Sequence, residues 1–104
     1  MTSLHPQNRI TVSPKKIKEF CRRYQVQRLA LFGSVLRKDF RLKSDVEILV
    51  TFLPNARIGF LALARMQREL TELYHHQVDL VPLDGLKATI RDSVISNIEE
   101  IYAA

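Results

Sequence analysis

The stretch Leu31-Phe32-Gly33-Ser34-Val35-Leu36-Arg37-Lys38-Asp39-Phe40-Arg41-Leu42-Lys43-Ser44-Asp45-Val46-Glu47-Ile48-Leu49-Val50 decides how the chain reads. A run enriched in apolar residues, Val26 to Phe32, stops at Gly33-Ser34, the pattern of a buried strand that ends in a turn. A short helix is expected over 34–40, its first amides pointing back over Gly33 as an anion site. Residues 41–44 form a polar connection. From Asp45 to Phe52 the chain alternates, with Val46, Ile48, Val50 and Phe52 on one face and Asp45, Glu47, Leu49 and Thr51 on the other. Residues two apart on a strand share a face at roughly 6.5 Å. The carboxylates of Asp45 and Glu47 can therefore converge on one Mg²⁺, or on a pair about 3.5–4 Å apart. Gly33 permits close backbone approach to a phosphate, Ser34 offers a hydroxyl and an amide, and Arg37 lies one turn further on. The polar outer face of an antiparallel strand would account for the two acids without any metal.

Working outward, Ser13-Pro14 reads as a helix start, and Ile17, Phe20, Cys21 and Tyr24 make one buried stripe ending near Gln25. Pro54-Asn55 closes the acidic strand. A long amphipathic helix is expected from about Ile58 to His75, its inner face formed by Leu63, Met66, Leu70, Leu73 and Tyr74. Gln77 to Leu83 reads as a third strand, with Val78 and Leu80 on one face and Asp79 and Val81 on the other. If the two strands are neighbours, Asp79 joins Asp45 and Glu47, and three gathered carboxylates call for a divalent cation. An ion pair with a surface arginine is the structural alternative for Asp79. Asp84-Gly85 makes a turn, and a last helix is expected over Leu86 to Tyr102 from the spacing of Leu86, Ile90, Val94, Ile98 and Ile101. His75 and His76 are adjacent, so on a helix they diverge by about 100° and share no metal easily.

With 104 residues the chain suits one domain, read as residues 13–104 behind a flexible arm over 1–12. No apolar run reaches the ~20 residues of a membrane span. The first twelve residues hold no secretion-signal block, which points to the cytoplasm. A single cysteine, Cys21, excludes an internal disulfide and a cysteine-based zinc cluster. The net charge of +5 favours a polyanionic partner: nucleic acid, nucleotide phosphates or an acidic protein. Arg37, Lys38, Arg41 and Lys43 lie where phosphates would arrive. A solvated helix face explains Lys15, Lys16, Lys18, Arg22, Arg23 and Arg28 about as well as a binding surface. No reading helix or aromatic platform supports direct nucleic-acid binding, which ranks last.

Gly33-Ser34, ten residues, then Asp45-x-Glu47 resembles the signature of the DNA polymerase β-type nucleotidyltransferase superfamily, and LFGSVLRKDFRLKSDVEILVTF is most similar to its minimal single-domain members, the MNT proteins. The likeness runs on through HHQVDLVPL, where Asp79 matches the third carboxylate, and through Ile90-Arg91-Asp92-Ser93, covering about residues 13–102. It implies an α+β nucleotidyltransferase fold, a small mixed sheet of about three strands packed with helices in the order α-β-α-β-α-β-α. It implies Asp45, Glu47 and Asp79 as metal-binding and catalytic residues and Gly33, Ser34 and Arg37 as nucleotide-binding ones. By the same resemblance Mg²⁺ and ATP are the cofactor and substrate, and AMP passes to a hydroxyl, a tyrosine, of a HEPN toxin. The chain would then be that toxin's antitoxin, held with it in a hetero-oligomer. Glu47 stands where the family carries Asp, which moves the carboxylate out by roughly 1.3–1.5 Å, a shift that octahedral Mg²⁺ tolerates poorly. The alternative is therefore a weakened member that neutralises a HEPN toxin by binding alone.

Overall fold

A computed structural model describes residues 12–33 and 45–104. The arm (but for Val12), the helix expected over 34–40 and the polar connection over 41–44 lie outside these described residues, and with them Ser34 and Arg37. Elements follow the order α1 (Pro14–Arg23), β1 (Val26–Phe32), β2 (Val46–Phe52), α2 (Phe60–Tyr74), β3 (Val78–Pro82), a 3₁₀ turn (Leu83–Gly85), α3 (Ala88–Ile95) and β4 (Glu99–Ala103).

Helix α1 starts as its sequence suggests. Pro14 occupies the first turn, where its missing N–H costs nothing, and Ser13 precedes it with an extended backbone. The Ser13 hydroxyl makes no capping bond; its carbonyl accepts from Ile17 N–H at 3.1 Å. Ile17, Phe20 and Cys21 face inward. Burial pushes the Cys21 thiol up to about 12, so it behaves as a small apolar core residue. Gln25, in the left-handed region with φ of 56°, turns the chain into β1.

The sheet has the order β3-β2-β1-β4. Strand β1 lies antiparallel to β2 and to β4, whereas β2 and β3 run parallel. A parallel pair needs a crossover, and α2 supplies it. Its Met66, Leu70 and Tyr74 meet Ile17, Phe20 and Cys21 of α1 over Leu29, Leu31, Val46, Ile48, Val50, Val78 and Leu80 of the sheet. The alternation read in Val46–Val50 and Val78–Leu80 is thus the inner face of the sheet. On the opposite face the register sets Ala30 beside Leu49 and Phe32 beside Glu47. Ala30, Phe32 and Leu49 are buried there as well, so the acids rise beside apolar ground.

Strand β3 is an edge, and α2 covers it. The N–H of Val78 donates to Thr71 Oγ1 at 3.0 Å, and that of Leu80 donates to Gln67 Oε1 at 2.9 Å. These two side chains lie four apart on one face of α2 and occupy backbone donors that would otherwise invite another strand. Helices α1 and α2 are tied by Glu69, which accepts from the Tyr24 hydroxyl and pairs with Arg23 at 2.9 Å. Burial pulls the Glu69 carboxyl upward, but these two donors outweigh it and hold the carboxyl below its usual range.

The fold class matches expectation, and the C-terminus differs. The helix expected over Leu86–Tyr102 ends at Ile95 and gives way to a fourth strand. Ser96 and Asn97 turn the chain, with the Ser96 hydroxyl and the Asn97 side-chain amide both donating to the Ser93 carbonyl. The three-residue spacing of Ile98 and Ile101 satisfies a helical period, but β1 offers an open edge, and strand pairing there satisfies the backbone of 99–103. Arg28 on β1 and Glu100 on β4 reinforce the pairing at 2.8 Å. None of the stripe Leu86, Ile90, Val94, Ile98 and Ile101 is fully buried, and Ile90 stays 47% exposed.

Candidate functional site

Antiparallel pairing brings the C-terminal end of β1 to the N-terminal end of β2, and parallel pairing brings the start of β3 beside it. Gly33, Asp45, Glu47 and Asp79 therefore meet at one end of the sheet, although 46 positions separate Gly33 from Asp79 in the sequence. Phe32 is the register partner of Glu47 on one flank, and Asp79 is its partner on the other. Neighbouring strands lie about 4.8 Å apart, so the carboxylates of Glu47 and Asp79 can reach a common point by side-chain rotation alone. Asp45 sits just before β2 and is exposed, as is Asp79, while Glu47 is half-buried. Reaching that common point involves no deep desolvation of three negative charges.

Gly33 has φ of 78°, in the left-handed region that favours glycine. A β-carbon there would lie 2.7 Å from Cδ of Glu47 and closer still to Oε2. The carboxylate of Glu47 thus occupies the hollow over the end of β1 and leans away from Asp79. Among the described residues no three His, Cys, Asp or Glu side chains are already drawn tightly enough to hold an ion. The donor set nevertheless suits a hard divalent cation: oxygen ligands only, on adjacent positions of one exposed sheet end.

His75 and His76 lie in the turn between α2 and β3. His75 caps α2 in the left-handed conformation, and His76 Nδ1 lies 2.8 Å from the Tyr74 carbonyl as a local turn contact. No local pattern in the sequence indicates the contact between Glu47 and Gly33.

The family model described as Polymerase beta, Nucleotidyltransferase matches residues 15–104. A candidate protein adenylyltransferase of Methanocaldococcus jannaschii is 26% identical over 87 residues, which cover 84% of this chain and 91% of that protein. A solved structure described as a minimal nucleotidyltransferase superposes with a TM-score of 0.68 at 30% identity, covering 82% of this chain and 85% of that one. A complex of a tri-AMPylated Shewanella oneidensis HEPN toxin with its MNT antitoxin matches with a TM-score of 0.64 at 21% identity, over 95% of this chain and 73% of that one.

Proposed function

The chain belongs to the polymerase β nucleotidyltransferase family, and from that premise we propose that it is a minimal nucleotidyltransferase that moves AMP from ATP to a tyrosine hydroxyl of a HEPN toxin and so acts as its antitoxin. The observation that carries this reading is the convergence of Gly33, Asp45, Glu47 and Asp79 at one sheet end. The adenylyltransferase name of the Methanocaldococcus relative and the AMPylated toxin of the Shewanella complex supply the group and the acceptor.

In this reading Asp45 and Glu47 supply oxygen ligands, and Gly33 lets the phosphates come close to the backbone. A divalent cation held there would offset the charge of the triphosphate and of the departing pyrophosphate. Asp79, exposed beside Glu47, takes the proton of the acceptor hydroxyl as its oxygen bonds to the α-phosphorus. The bond from that phosphorus to the bridging oxygen breaks, and pyrophosphate leaves. The acceptor comes on a docked protein, in keeping with a two-component complex.

A second reading, neutralisation by binding without transfer, is favoured by one observation: Glu47 leans on Gly33 and away from Asp79. Incubation with labelled ATP, Mg²⁺ and a HEPN protein that this chain neutralises separates the two. Label on the HEPN protein, lost with Asp45→Ala, supports transfer. No label, together with undiminished neutralisation by Asp45→Ala, overturns it in favour of binding alone.

A further inference from the structure

Glu47 lies between two unequal neighbours. On the β3 side its register partner is Asp79, a like charge on the adjacent strand. On the β1 side lies Gly33, which has no side chain, and the hollow this leaves holds the Glu47 carboxylate, with Cδ 2.7 Å and Oε1 3.3 Å from where a β-carbon would stand. The hollow is also where phosphates would make their closest approach to the backbone, because only glycine opens it. One carboxylate and one phosphate cannot share it, for reasons of both volume and charge.

Resting on the nucleotide-binding reading above, we propose that Glu47 gates nucleotide entry: its carboxylate closes the Gly33 hollow until a divalent cation gives it reason to turn back toward Asp45 and Asp79. With a cation to ligate, Glu47 would turn to share it with Asp45 and Asp79, and the hollow would empty. Cation and nucleotide binding are then coupled through the position of a single side chain. The length of Glu47 is what makes the gate. An aspartate ends one methylene sooner, about 1.5 Å short of the hollow, and keeps the same charge.

Equilibrium binding of ATP to the whole chain, measured once with a chelator and once with Mg²⁺, tests this without any turnover. The wild type is expected to bind ATP far more weakly in chelator than in Mg²⁺. Glu47→Asp, which opens the hollow but preserves the charge, is expected to bind metal-free ATP on the order of tenfold more tightly than the wild type, the gain anticipated if about a tenth of the wild-type molecules are open. Metal-free binding by Glu47→Asp no tighter than wild type, with both chains binding in Mg²⁺, overturns the gate and leaves the nucleotide reading standing. No ATP binding by either chain even in Mg²⁺ overturns both.

Discussion

Glu47 of β2 and Asp79 of β3 are register partners in the parallel half of the sheet, on the face turned away from α1 and α2. This adjacency brings together two acids that stand 32 positions apart in sequence. Their surroundings differ, since Asp79 is exposed and Glu47 is half-buried over Gly33.

If Asp79 takes the proton of the acceptor, its conservative replacement should separate binding from chemistry. Asp79→Asn is expected to lower AMP transfer about 100-fold or more, the usual worth of a positioned general base. Binding of ATP in the presence of Mg²⁺ should fall far less. Single-turnover transfer rates set beside nucleotide titrations check this; equal losses in both would assign Asp79 to binding alone.

Gly33→Ala forces an alanine into the left-handed region and sets its methyl against the Glu47 carboxylate. The backbone term costs roughly 1–2 kcal/mol, read as a lower midpoint in urea unfolding. The clash should be smaller, because the far end of Glu47 can move. In a Glu47→Ala background Gly33→Ala is expected to cost less by on the order of 0.5 kcal/mol, the coupling expected of residues in contact. Additive effects would show that the two do not touch.

The Glu69 clip between α1 and α2 predicts a pH dependence of stability. Its carboxyl is held below the usual value of 4.5 in the folded chain. A depressed carboxylate contributes stability that is present above the unfolded pKa and is lost as pH falls through the folded one. Glu69→Gln is therefore expected to be less stable than wild type at neutral pH by about 1 kcal/mol, with the gap closing as the pH drops below 4.5. A gap that stays constant into acid would mean that the carboxylate charge contributes nothing. Tyr24, raised first by burial and then by its bond to Glu69, works in the opposite sense. Its contribution is complete below its ordinary pKa of 10.0 and fades as pH rises through its folded pKa.

Gln67 and Thr71 guard the β3 edge. Replacing either with alanine removes a side-chain acceptor from a backbone N–H, at about 1 kcal/mol each. The double replacement exposes a row of strand donors, and concentration-dependent self-association should follow. Light scattering over a dilution series measures it. A strictly monomeric double variant would mean that the edge is protected by other means.

The local pattern carried a long way. Alternation alone told which side chains of 46–52 and 78–80 face the core, and Ile17, Phe20 and Cys21 showed the inner stripe of α1. The four-step spacing of Met66, Leu70 and Tyr74 did the same for α2. Pairing was not local. Ile98 and Ile101 read as the last turns of a helix, and became strand because β1 had an unfilled edge, a fact that no window around residue 100 contains.

What the sequence determined by itself was therefore periodicity and chemistry: a glycine at the end of one strand, an acid on a second strand with another just before it, a third acid on another strand, and two helices with one apolar side each. These follow from geometry within a few residues, where bond rotations and side-chain alternation leave little choice. Only the tertiary structure decided that β2 and β3 run side by side with Glu47 against Asp79, that β4 closes the sheet, and that the Glu47 carboxylate fills the space Gly33 leaves open. Those outcomes depend on which backbone donors meet which acceptors across the sheet, and on where one extra methylene can go among groups distant in the chain.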